Sequence, residues 1–104
     1  MLRRVFERAG HEVAEAGDGA AALTSVEQSR PQLVITDVMM PVMGGVELIR
    51  RLRAEPTTVA IPILAVSGDS HLAVDADAVL AKPFAWKELL AVAEGLLIEG
   101  RGHR

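Results

Sequence analysis

Three polar residues stand at the ends of short apolar runs. Asp37 follows "QLVIT" (32 to 36), Ser67 closes "ILAVS" (63 to 67), and Lys82 follows "VLA" (79 to 81). A carboxylate, a hydroxyl and an ammonium brought together suit phosphoryl chemistry. The carboxylate can attack phosphorus to give a labile acyl phosphate, and the other two groups can hold its oxygens. Such convergence requires three neighbouring strands that end on one edge. In open parallel sheets, ligands bind outside the carboxyl ends of the strands.

The elements around these residues have the required character. The runs at 32–36 and 63–67 are continuously apolar and rich in β-branched residues, as strands covered on both faces are. A strand is also expected over 12–16, and a short one over 79–82. Between them the spacing is helical. Leu2, Val5, Phe6 and Ala9 share a face, and Gly10 marks a stop. Asp18 reads as the N-cap of a second helix whose stripe is Ala22, Leu23 and Val26. A third helix over 45–54 turns Val46, Leu48, Ile49 and Leu52 inward, and a fourth runs from Trp86 to Ile98. Alternating strands and helices predict an α/β, doubly wound parallel sheet.

With 104 residues the expectation is one domain, 1–98, and a frayed tail, 99–104. The net charge of -3 offers no electrostatic reason for nucleic-acid binding. The absence of cysteine excludes disulfides and thiol ligands. No apolar run reaches the ~20 residues of a membrane span, and "MLRRVFERAG" does not read as a secretory signal. The cytoplasm is the expected compartment.

Asp37-x-x-Met40-Pro41-x-Met43-x-Gly45, Ser67 placed 30 residues later, Lys82-Pro83-Phe84 and "GHEVAEAGDGAAAL" (10 to 23) together resemble the receiver domain of two-component response regulators. The resemblance runs from Met1 to about Ile98. It implies a flavodoxin-like fold, with Asp37 as phosphoacceptor, Ser67 as switch hydroxyl and Lys82 as the phosphate-sensing lysine before a cis peptide bond. It implies Mg²⁺ bound by Asp37 and the Met39 carbonyl. It also implies a histidine kinase or phosphotransfer protein as donor, an effector protein as target, and no enzymatic turnover of its own.

The sequence departs from the family at two places. Receivers open with a strand ending in an acidic pair that holds Mg²⁺; this sequence begins inside what would be their first helix. About four strands are therefore expected, at 12–16, 32–36, 63–67 and 79–82. Either 12–16 pairs directly with 32–36, or strand exchange or a homodimer fills the gap. Metal binding is expected to be weak. The interval from Ser67 to Lys82 is short, so the family's fourth helix is expected to be brief or absent. Val79 stands where receivers often carry a switch aromatic. A pseudo-receiver, an interaction or dimerisation module that takes no phosphate, is the alternative.

Other residues read structurally. Met39, Met40 and Met43 are expected in packing. His11, His71 and His103 are expected in solvent, as are Arg3, Arg4, Arg50, Arg51 and Arg53. Trp86 reads as a helix-start packing residue, with partner docking as the alternative.

Overall fold

The computed structural model describes residues 2–37, 43–68 and 75–99. The elements are α1 (Leu2–Arg8), α2 (Gly19–Ser29), β1 (Val34–Asp37), α3 (Gly45–Ala54), β2 (Ile63–Ser67), β3 (Ala78–Ala81) and α4 (Trp86–Glu99). The strands form one parallel sheet in the order β1-β2-β3. Successive side chains point to opposite faces of a strand, so each strand feeds two cores. Val34, Ile63 and Ala65 pack with Val26 of α2 and Leu48, Ile49 and Leu52 of α3. Leu64, Val66 and Leu80 pack on the other face with Phe6 of α1 and Leu89 and Ala93 of α4. Both faces are covered, which is why the strands read as unbroken apolar runs.

Local signals set the helix ends. Asp18 Oδ1 accepts from Ala21 N at 2.8 Å, satisfying one orphan donor of α2. Gly10 takes φ +94° just beyond α1, while the N–H groups of Ala9 and His11 return to the Phe6 carbonyl. The expected N-cap and helix stop are both observed.

Residues 12–16 do not form the expected strand, and they do not pair directly with β1. A strand needs a neighbour to take its backbone hydrogen bonds; this segment instead contributes Val13 to the α1/α4 core. The sheet therefore has three strands among the described residues, and β1 ends on Asp37 itself. Residues 75–77 are turn and bend, and residues 69–74, where a brief fourth helix is the expectation, lie outside the described residues. His71 and His103 lie outside them too. His11 is not simply solvated: its Nε2 is 3.1 Å from Glu94 Oε2, and its ring leans on Phe6.

Arg53 is the larger correction. It leaves the solvated face expected for it and sits 11 % exposed against Asp77, itself 3 % exposed. Its guanidinium donates to Asp77 Oδ2 at 2.6 Å and to the carbonyls of Val59, Ile61 and Asp75. Asp77 Oδ2 also accepts from Ile63 N at 2.7 Å, and Asp77 N donates to Ile63 O. Only a planar fork with five donors can serve so many acceptors. The helical period placed Arg53 on an outer face but could not show that the 59–61 and 75–77 segments fold over it.

Gly19 marks a close approach. Its N–H donates to the Met43 carbonyl at 3.1 Å, and a Cβ built on it would lie 2.2 Å from that oxygen. The start of α2 thereby holds the chain just ahead of α3.

Four outcomes follow from these contacts. Arg53→Met should lower unfolding free energy by about 3–5 kcal/mol in urea titrations, because it strands the buried Asp77 carboxylate. Arg53→Lys should not restore it, since a lysine cannot span the same acceptors. Gly19→Ala should cost about 1–3 kcal/mol through the clash with Met43. Glu47, hydrogen-bonded first to Arg50 and then to Arg51, has its carboxyl lowered to about 2. A depressed carboxylate stabilises above its unfolded value, so this contribution should fade as pH falls from about 4 towards 2. A carboxyl-carbon NMR titration of Glu47 would show its midpoint.

Candidate functional site

The sheet register delivers the three polar residues to one edge. Asp37 lies opposite Val66, Leu80 opposite the same Val66, and Ser67 opposite Ala81. Lys82 N donates to Ser67 O at 3.0 Å, carrying the β2–β3 ladder one residue past the strand end. Asp37, Ser67 and Lys82 are thus spread over three adjacent strands at their carboxyl ends. Neighbouring strands stand ~4.8 Å apart, so β1 and β3 are about two spacings apart, within the span of an extended lysine. Lys82 Nζ crosses β2 and donates to Asp37 Oδ2 at 2.5 Å.

Exposure separates the roles open to these groups. The Asp37 and Lys82 side chains are 38 % and 46 % exposed, so an incoming group can reach them. Ser67 is buried beneath that edge at 1 % exposure. An ion pair with this much solvent contributes little to stability, so the arrangement is not explained by folding alone. A carboxylate held beside an ammonium, with a hydroxyl on the strand between, can take an electrophilic phosphorus and stabilise the oxygens that result.

The Lys82-Pro83 peptide bond is cis, as the resemblance implied. Val79 is half-buried against the α2/α3 core, and Met43 packs there too, as expected. The Met39 carbonyl, the expected backbone metal ligand, lies outside the described residues, as does Met40. Among the described residues no group of three or more His, Cys, Asp or Glu could hold a metal ion. The described donor set by itself, one carboxylate already paired with an ammonium, does not fit Mg²⁺, which favours octahedral oxygen ligands.

Some features of the site region were missed at the level of sequence. Gly19 carried one clue: a glycine directly after an N-cap weakens the first helical turn and needs another reason. The placement of Phe84 and Trp86 beside Lys82 carried none, because edge contacts depend on how α4 docks.

Among the described residues no helix is long and apolar enough to cross a membrane. Residues 1–94 match the model of the response regulator receiver domain family. The transcriptional regulatory protein PrrA of Mycobacterium tuberculosis is 40 % identical over 101 residues, which cover 92 % of this chain and 43 % of PrrA. The chain thus spans less than half the length of that relative. A solved candidate response regulator from Chloroflexus aurantiacus J-10-fl is 34 % identical with a TM-score of 0.88, covering 94 % of this chain and 86 % of that one. The receiver domain of the sensor histidine kinase PA1611 from Pseudomonas aeruginosa PAO1, solved with magnesium in its active-site cleft, is 26 % identical with a TM-score of 0.84, covering 92 % and 84 %. With its parallel sheet, its two covered faces and the family match along nearly all its length, this chain belongs to the response regulator receiver domains of two-component systems.

Proposed function

We propose that this chain is a phosphoacceptor module of a two-component phosphorelay, with Asp37 as the residue that is phosphorylated. The observation that carries this reading is the Lys82 ammonium on the Asp37 carboxylate across the strand that ends in Ser67. A carboxylate oxygen of Asp37 attacks the phosphorus of a phosphohistidine on a histidine kinase or phosphotransfer protein. The P–N bond breaks, imidazole leaves with the electron pair, and an acyl phosphate forms on Asp37. Lys82 moves from the carboxylate to a phosphoryl oxygen, and the Ser67 hydroxyl donates to another. The module does not turn over substrate as an enzyme. It acts in the cytoplasm by contact with an effector protein, or with a second copy of itself, rather than with nucleic acid; the net charge of -3 supports that.

The second reading is a phosphorylation-independent interaction module. Two observations favour it: the lack of a metal-holding cluster among the described residues, and Val79 where a switch aromatic is common in the family. On this reading Lys82 and Asp37 stay paired, and any Mg²⁺ binds weakly.

Intact-mass measurement after incubation with acetyl phosphate and Mg²⁺ separates the two. The first reading expects one phosphoryl group on the parent chain and none on Asp37→Asn. Lys82→Met should slow labelling by roughly 10²-fold, the scale for losing one charge-stabilising donor. A parent chain that stays unlabelled, while circular dichroism shows it folded, would sink the phosphoacceptor reading.

A further inference from the structure

Lys82 links the Asp37 carboxylate to an apolar ledge. Lys82, which touches Asp37, also lines a shallow, open depression with Pro83, Phe84 and Trp86. Phe84 is anchored in the α1/α4 core, and Trp86 stands edge-on to it, with ring centroids 5.8 Å apart at 86°. Trp86 begins α4, where the Ala85 carbonyl accepts from the N–H groups of Glu88 and Leu89. The indole is therefore held by a helix start and by a core-anchored phenyl, yet it remains 44 % exposed. If packing were its only task, that exposed area would be idle; tryptophans held rigid and half open are favoured where ligands and partners bind.

We propose that Pro83, Phe84 and Trp86 form a subsite for the leaving group of the phosphodonor, and that Trp86 makes this module prefer donors whose leaving group is aromatic. The proposal rests on the phosphoacceptor reading and narrows its substrate class. Lys82 meets the phosphoryl oxygens, and the ring of the departing group lies along Trp86 and Phe84. The bond made is Asp37 O–P. The bond broken joins phosphorus to the leaving group, which departs with the pair as an imidazole from phosphohistidine or a carboxylate from an aryl acyl phosphate. Trp86 is a positioning residue for this transfer.

Benzoyl phosphate and acetyl phosphate share one reacting bond and differ in the ring, so they serve as probes on the full chain. Labelling measured by intact mass should show a KM about three- to tenfold lower for benzoyl phosphate, the range an aromatic contact supplies. Trp86→Ala should erase that difference by raising the KM for benzoyl phosphate, and Trp86→Phe should keep part of it. Trp86 is the single tryptophan of the chain, so phenylphosphonate should quench its emission saturably and methylphosphonate should not. Equal KM values in the parent, or a donor preference that survives Trp86→Ala, would overturn the ledge. A fall in labelling by both donors in Trp86→Ala would also overturn it, as the mark of a structural role. Saturable quenching without labelling by either donor would overturn the phosphoacceptor reading and leave the aromatic-anion subsite standing.

Discussion

The contact between Arg53 and Asp77 governs how this sheet is aligned. Asp77 bonds the amide and carbonyl of Ile63 at the start of β2, one residue before β3 begins. Arg53 holds that carboxylate from the end of α3 and gathers the loop carbonyls around it. A parallel pair has no tight turn to fix its register, since its crossover is long. The clamp does that work at the amino ends of the strands. A slip of one residue would turn every side chain of β3 to the wrong face, and Lys82 would no longer follow Ala81 at the level of Ser67.

The candidate site sits at the other end of the same strands. Asp37, Ser67 and Lys82 converge because three parallel strands terminate together. The buried alternation along β2, with Ile63 and Ala65 on one side and Leu64 and Val66 on the other, keeps those ends in place. Asp37 and Lys82 are open to solvent, while Ser67 and the strands that support them are packed. That division suits a group that must be reached by a partner without loosening the fold. The Asp37–Lys82 pair at the site is exposed and weakly stabilising, whereas the Arg53–Asp77 pair at the far end is buried and costly to break. Function and stability thus use similar chemistry in opposite solvent environments.

Gly19 opens α2 against Met43, and the cis bond before Pro83 follows β3. At Gly19 the backbone of α2 presses directly on the Met43 carbonyl, so the residue just ahead of α3 is held by the start of α2. After Pro83 the chain turns into the Phe84–Trp86 pair and then α4, which closes the second core with Leu89 and Ala93. Lys82 therefore stands next to an apolar, aromatic surface whose shape is set by the core beneath it.

How much of this was legible in the sequence depends on whether the signal is local. Asp18 as N-cap, Gly10 as helix stop, Leu48, Ile49 and Leu52 as the inward stripe of α3 and the buried run of β2 follow from residue type and period and are observed; Val46, expected in that stripe, is instead exposed in the first turn of α3. The placement of Asp37, Ser67 and Lys82 at strand ends is likewise observed, because a polar residue closing an apolar run is a local pattern. The 12–16 segment has the composition of a strand but forms none, since a strand exists only through its neighbour's hydrogen bonds. Arg53 looked solvated because a helical wheel knows nothing of the loops that fold over it. Residue types and spacing determined which groups could do chemistry and which faces would be buried. Tertiary structure alone decided which strand had a partner, which arginine was desolvated, and that Lys82 would reach Asp37. Those outcomes depend on segments distant in sequence meeting at hydrogen-bond distance, and no local period encodes such a meeting.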